Sequence, residues 1–276
     1  MKTQLNTAYG HLSDPISSIL TELNQKTDEN NDPLKFKWTF ARKDYRNAYS
    51  KARTRTAPGF SGMTTSLWKP TVDNVILASI YAKLMQLPSK YGFSYPRWEV
   101  SIQAMLKKEL PYLNRLCIIE LFELDLNAFL KLIIGRVYPR HEKANNLQYP
   151  ENFGAMKGRN AHGALNSVQL AFKQSWITRS PMVVAPKDET GCCFDLIRPD
   201  LIKLIQDSKG VPTATSSAKV SILRNMKRFI QTGHGLSSTS FQWTAENNIG
   251  GIGQGNREAP QACNDQMGLL QTIHGK

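Results

Sequence analysis

MVVAPKDETGCCFDLI, Met182 to Ile197, decides how the rest of the chain is read. Met182 to Ala185 is short, apolar and β-branched, which predicts a strand. It runs directly into the carboxylates Asp188, Glu189 and Asp195. A strand whose end presents acidic groups is a recurrent way to hold a hard cation. Mg²⁺ takes oxygen ligands at about 2.0 to 2.1 Å, one or two of them carboxylates and the rest phosphate or water. On pattern alone such acids are more often helix caps or surface charge than metal ligands, so their meaning depends on the surrounding sequence.

On the C-terminal side, Asp200 to Gln206 and Ser216 to Gln231 read as helices and Leu236 to Trp243 as a strand. Pro260 to Ile273 reads as a helix opened by proline in its first turn. Before it lies GGIGQGNREAP, Gly250 to Pro260, with four glycines in six residues, which permits close backbone approach to a ligand. The run has no GK[ST] ending and no acidic residue about 20 positions on, so it is neither a P-loop nor a dinucleotide fingerprint.

On the N-terminal side, Val72 to Leu87 reads as a buried helix after the turn-rich TAPGFSGMTT, Thr56 to Thr65. Trp98 to Leu106 and Leu116 to Phe122 read as strands joined by a loop that carries Lys107, Lys108 and Pro111. Two apolar stripes predict packed helices, one through Leu126, Phe129, Leu130, Ile133, Ile134 and Val137, the other through Ala161, Ala164, Leu165, Val168, Ala171 and Phe172. Strands and helices alternate irregularly, which favours an α+β fold over a doubly wound sheet.

Composition narrows the function classes. The 276 residues are 41% hydrophobic, enough for a sizeable core, and the formal charge of +13 points to a polyanionic partner, nucleic acid first. In Lys35 to Arg55, the aromatics Phe36, Trp38, Phe40, Tyr45 and Tyr49 interleave with eight cations, and the spacing predicts aromatics inward and cations outward. Such a face either clamps a phosphate backbone or is merely solvated. The four cysteines lack CxxC spacing, which fits a reducing compartment better than a disulfide framework or a zinc cluster. No apolar secretory leader or bilayer-length run is seen, so the expectation is an intracellular protein, cytoplasmic or nuclear, with no membrane partner. The polar run Gln25 to Pro33 reads as a linker.

Seven segments in order are far more specific than any one of them. TAPGFSGMTTSLWK (Thr56 to Lys69), PRWEVSIQAMLKK (Pro96 to Lys108), LCIIELFELDLNAFLKLIIGR (Leu116 to Arg136), ENFGAMKGR (Glu151 to Arg159), KDETGCCFDLI (Lys187 to Ile197), TGHGLSSTSF (Thr232 to Phe241) and GIGQGNREAP (Gly251 to Pro260) together resemble a reverse transcriptase of retroelement type. The likeness covers the fingers and first half of the palm, from about Thr56 onward. It implies a right-hand polymerase with an N-terminal helical, basic extension over 1–55, a fingers-like region over 56–180 and a partial palm over 181–276. The implied chemistry is Mg²⁺-dependent addition of deoxynucleotides to a DNA primer on an RNA template.

The resemblance also implies roles. Asp188 matches the palm aspartate that binds both catalytic Mg²⁺ ions, and Phe194 the aromatic that excludes a 2′-hydroxyl. Gln254 and Gly255 match the second palm motif, beside template and nucleotide. Lys108 matches the fingers lysine on the triphosphate, a task suited to a point charge. Gly154, Lys157, Gly158 and Arg159 match a fingers segment near the template.

Three departures stand out. The family places its aspartate six residues before the second, whereas Asp188 lies seven before Asp195 and Glu189 six, so either a bulge absorbs the extra residue or Glu189 takes the metal position. Cys117 stands where the family has an arginine on the incoming nucleotide, leaving Arg115, two residues earlier on the same strand face, as a partial substitute. The tyrosine-x-aspartate-aspartate hairpin is not found: sixteen residues follow Pro260, and they contain one aspartate, Asp265. The expectation is therefore a fragment inactive alone, with a non-catalytic RNA- or DNA-binding module as the alternative. An RNA-directed RNA polymerase is disfavoured by Phe194.

Overall fold

The computed structural model describes residues 14–29, 36, 39–50, 52–107, 116–149, 152–154, 156–183, 197–242 and 251–274. Helices dominate: α1 Asp14–Glu29, α2 Arg42–Tyr49, α3 Thr65–Asp73, α4 Val75–Tyr91, α5 Leu124–Leu132, α6 Tyr138–Ala144, α7 Ala161–Thr178, α8 Pro199–Ser208, α9 Thr213–Asn225 and α10 Ala259–His274. The strands are β1 Val100–Lys107, β2 Leu116–Leu121, β3 Lys227–Thr232, β4 Gly235–Leu236 and β5 Phe241–Gln242. The fold is mixed α+β.

One small sheet organises these elements, in the order β2-β1-β3-β4, with β5 also on β3. β1 and β2 are antiparallel, from Ile102 opposite Leu121 to Lys107 opposite Leu116. β3 joins β1 in parallel, Val100 beside Lys227 through Ala104 beside Gln231. A parallel neighbour requires a crossover, and here α5 to α9 all lie between the two strands.

Local chemistry sets the helix limits. Asn74 is extended and its Oδ1 accepts from the N–H groups of Ile76 and Leu77, both at 3.0 Å, so α3 ends and α4 starts at one residue. Gly92, at φ 72°, closes α4 in the left-handed conformation. The stripe from Leu126 to Ile134 is buried across α5 and the π-turn Ile133–Val137 that leads into α6.

Two apolar cores result. The first gathers Phe36, Phe40, Tyr45, Tyr49 and Trp68 against Trp98, Phe129 and Ile133, with Lys43, Arg46, Arg53 and Arg55 exposed outside it. The second packs Ile19, Leu20 and Leu23 of α1 against Ile202 and Ile205 of α8 and Leu269 of α10.

Several local expectations are corrected. Ser216 to Gln231 is not one helix: α9 stops at Asn225 and β3 begins at Lys227. The run Gln25 to Glu29 is the last part of α1, while residues 30–33 lie outside the described ones. The stretch Val72 to Leu87 is split at Asn74, and Ile76 and Ile80 are exposed. The stripe on α7 is not packed, for no residue of that helix is buried. Met182 and Val183 have no strand structure, and the rest of that expected strand lies outside the described residues.

Candidate nucleic-acid site

The glycine loop is seated on β2. The N–H of Glu120 donates to the carbonyl of Gln254 at 2.7 Å, extending the sheet edge by one bond. Gly253 and Gly255 have φ of 78° and 122°. A Cβ on Gly255 would overlap the Glu120 carbonyl oxygen, and one on Gly253 the Glu120 carboxylate. Both glycines are therefore required by a close backbone approach as well as by conformation. Gly255 is exposed and Gln254 half-buried.

Glu120 is held from behind. Its Oε1 accepts from Arg228 Nε of β3 at 2.9 Å and from the Ser101 hydroxyl of β1 at 2.6 Å, with all three side chains buried. Three strands are thus tied at one carboxylate. The far end of the loop is tied as well. Lys219 of α9 pairs with Glu258 and with Gln206 of α8, all buried, and the Glu258 N–H donates to Asn256 Oδ1 at 2.8 Å.

A third buried ionic group joins α6 and α10. Lys209, with no exposed surface, reaches Glu142 of α6 at 2.6 Å and Asp265 of α10 at 2.8 Å. Tyr138 donates to Asp265 at 3.1 Å, and Gln261 to Glu142 at 2.9 Å. Burial works against the Lys209 charge, but Asp265 and Glu142 outweigh it and hold the ammonium protonated. Burial pushes the Glu142 carboxyl up to about 7, against the pull of Lys209. Asp265, expected to stand alone, is one corner of this group. Its sequence signal is its place on the buried stripe of α10, between Ala262 and Leu269.

In the turn before α7, Lys157 is exposed and Gly158 sits at φ 86°. Arg159 Nη1 donates to the carbonyls of Tyr149 at 3.2 Å and Asn152 at 2.6 Å, which fixes the turn. Lys157 is thus the cation this turn presents outward. The TAPGFSG turn is latched similarly: the Ser61 N–H and hydroxyl donate to buried Glu123 at 2.8 and 2.7 Å. Lys108, Arg115, Asp188, Glu189 and Phe194 lie outside the described residues. Among the described residues no group of three or more His, Cys, Asp or Glu is placed to hold a metal, and no helix is long and apolar enough to cross a membrane.

No protein-family model matches the chain, and no curated protein matches it.

Proposed function

We propose that the chain forms the fingers and leading palm of an RNA-directed DNA polymerase of retroelement type, acting on an RNA template, a DNA primer and deoxynucleoside triphosphates. The observation that carries this reading is the GIGQG loop seated on β2, with Gly253 and Gly255 at positive φ against Glu120. The seven ordered segments relate that loop and that strand to the second palm motif and the fingers; Glu120, on which the loop rests, and Glu258, which follows it, are each held in a buried ion pair. Gln254 and exposed Gly255 would then line the nucleotide, and Lys157 the template. Mg²⁺, held by Asp188 or Glu189, would supply charge neutralisation at the triphosphate.

A second reading, a non-catalytic RNA- or DNA-binding module, is favoured by Cys117 in place of the nucleotide-contacting arginine. Primer extension separates the two. Alone, the 276 residues are expected to extend no primer. Joined in frame to a segment supplying a tyrosine-x-aspartate-aspartate hairpin, they are expected to extend one with Mg²⁺. Asp188→Ala then abolishes extension if the bulged register holds, and Glu189→Ala does so in the alternative register. Full activity in both variants would remove Asp188 and Glu189 as metal ligands, and no extension by the joined chain would remove the polymerase assignment.

A further inference from the structure

α4 is apolar on two opposite faces. The inner one, Ala78, Ala82, Met85, Pro88 and Ser89, is buried. The outer one carries Leu77, Ile80, Leu84, Leu87 and Tyr91, three and four residues apart in turn, with Ile76 beside them. Ile76 is 71% exposed, Ile80 47% and Leu84 41%. Leu77 and Tyr91 are exposed as well, and Leu87 is half-buried. A surface helix ordinarily turns polar residues to water, whereas the charged residues of α4 are Lys83 and Lys90 alone. The alternating spacing is that of a seam between two paired helices.

The stripe is fixed in place before anything covers it. Ala78, Ala82 and Met85 of the inner face anchor the helix in the first core. Pro88 offers no N–H to the Leu84 carbonyl, and the Tyr95 hydroxyl donates to that carbonyl instead, at 2.9 Å, so the last turn keeps its geometry. At 17 residues α4 is about 25 Å long. A rigid, ready-made surface loses little freedom when a partner docks. α7, also apolar and exposed, has no such backing, for none of its residues is buried.

Charge selects the partner. Exposed Asp73 directly precedes the Asn74 cap at one end of α4, and at the other end the Lys90 ammonium lies 4.9 Å from the Tyr91 ring centroid. Asp73 is also 3.9 Å from Arg46, a solvent-exposed pair that holds it only weakly. The stripe thus has an acid at its start, aliphatic side chains along its middle and a base at its end. Such a surface is complementary to its own reverse. An antiparallel copy, related by a two-fold axis at the level of Ala82, would set Ile80 against Leu84, Leu77 against Leu87 and Asp73 beside Lys90, each contact made twice. A parallel copy would set Lys90 against Lys90 and Asp73 against Asp73.

We propose that the outer face of α4 is a dimerisation surface, pairing antiparallel with α4 of a second copy of this chain. A stripe about 25 Å by 10 Å falls short of the roughly 800 Å² per partner of a standard interface, so the dimer is a weak one, with a Kd on the order of 10 µM. The formal charge of +13 opposes association at long range, but at physiological salt that repulsion is screened beyond about 8 Å. The face shares no residue with the glycine loop or the Lys157 turn and does not rest on the polymerase reading.

The test is sedimentation equilibrium of the 276-residue chain at physiological salt, without nucleic acid, from about 1 to about 100 µM. The mean mass is expected to rise from one copy toward two and no further. Ile80→Glu, a change at an exposed position, sets like charges near the axis and is expected to weaken the dimer at least about a hundredfold, with the urea midpoint of the dilute chain unchanged. Asp73→Lys and Lys90→Asp are each expected to weaken it about three- to tenfold, and the two together to restore it. That rescue decides alone if Ile80→Glu misfolds. One copy at every concentration would leave the stripe to a different protein and overturn the proposal. A dimer that survives Ile80→Glu in a folded chain would overturn it as well, and its loss in Trp176→Glu would then place the contact on α7. Assemblies that grow past two copies, or a double swap without rescue, would exclude the antiparallel two-fold pairing.

Discussion

Lys209 faces two carboxylates, Glu142 and Asp265, in a volume closed to water, so when all three are charged the group carries a surplus negative charge. Burial therefore raises the Glu142 pKa from an ordinary 4.5 to about 7. A carboxyl whose folded pKa is raised binds its proton more tightly when folded. Its contribution to stability is full below about 4.5 and is lost as pH rises through about 7. Urea midpoints measured from pH 4.5 to 8 should therefore fall over this window through the Glu142 contribution, and Glu142→Gln should flatten that part of the slope. An unchanged slope in the variant would mean that Glu142 is not the group titrating. Asp265 was legible as an acid in a helix, though it was expected to stand alone. Its partner Lys209 was not, because a lysine after the end of α8 carries no periodic signal, and its burial depends on helices more than fifty residues away in either direction.

Elements were legible where a side-chain period ran long enough to be counted. β1, β2, α8 and α10 stand close to where alternation, helical stripes and the N-terminal proline put them. β3 was not, because KRFIQT is short and follows a helical pattern without a glycine or proline break. Its strand state comes from distant partners: parallel pairing with β1, Arg228 on Glu120, and Phe229 stacked on Phe60 at 4.7 Å. The stripe of α7 shows the converse, since periodicity predicts a helix correctly and says nothing about what covers it. Its Leu170, Phe172 and Trp176 are exposed, Trp176 by 84%, whereas Trp98 is 1% exposed. Trp176→Phe is therefore expected to remove a red-shifted, iodide-quenchable part of the tryptophan emission. Emission and quenching identical to the parent chain would show that α7 is covered.

At the scale of the whole molecule, net charge and ordered motifs carry the expectation of a nucleic-acid partner, while the sheet and the two cores show where the described segments sit. The glycine loop was legible as a turn that permits close approach to a ligand; the approach found is instead to Glu120 of β2, which was not legible, since the contact spans more than 130 residues. The cations are divided by structure rather than by sequence: Arg159 and Arg228 are spent on internal carbonyl and carboxylate groups, whereas Lys43, Arg46, Arg53, Arg55 and Lys157 face outward. An outward set of this kind binds phosphates by counterion release, so affinity should fall steeply and log-linearly with salt, and losing one phosphate contact should reduce the slope by about 0.9. The decisive measurement is the affinity of the 276-residue chain for an RNA template annealed to a DNA primer, titrated from low to moderate salt, beside Lys157→Ala. Binding that weakens steeply with salt, with a slope reduced by about one in the variant, is the expected result. Binding that is absent at low salt, or indifferent to salt and to Lys157, would contradict a template-gripping fingers module.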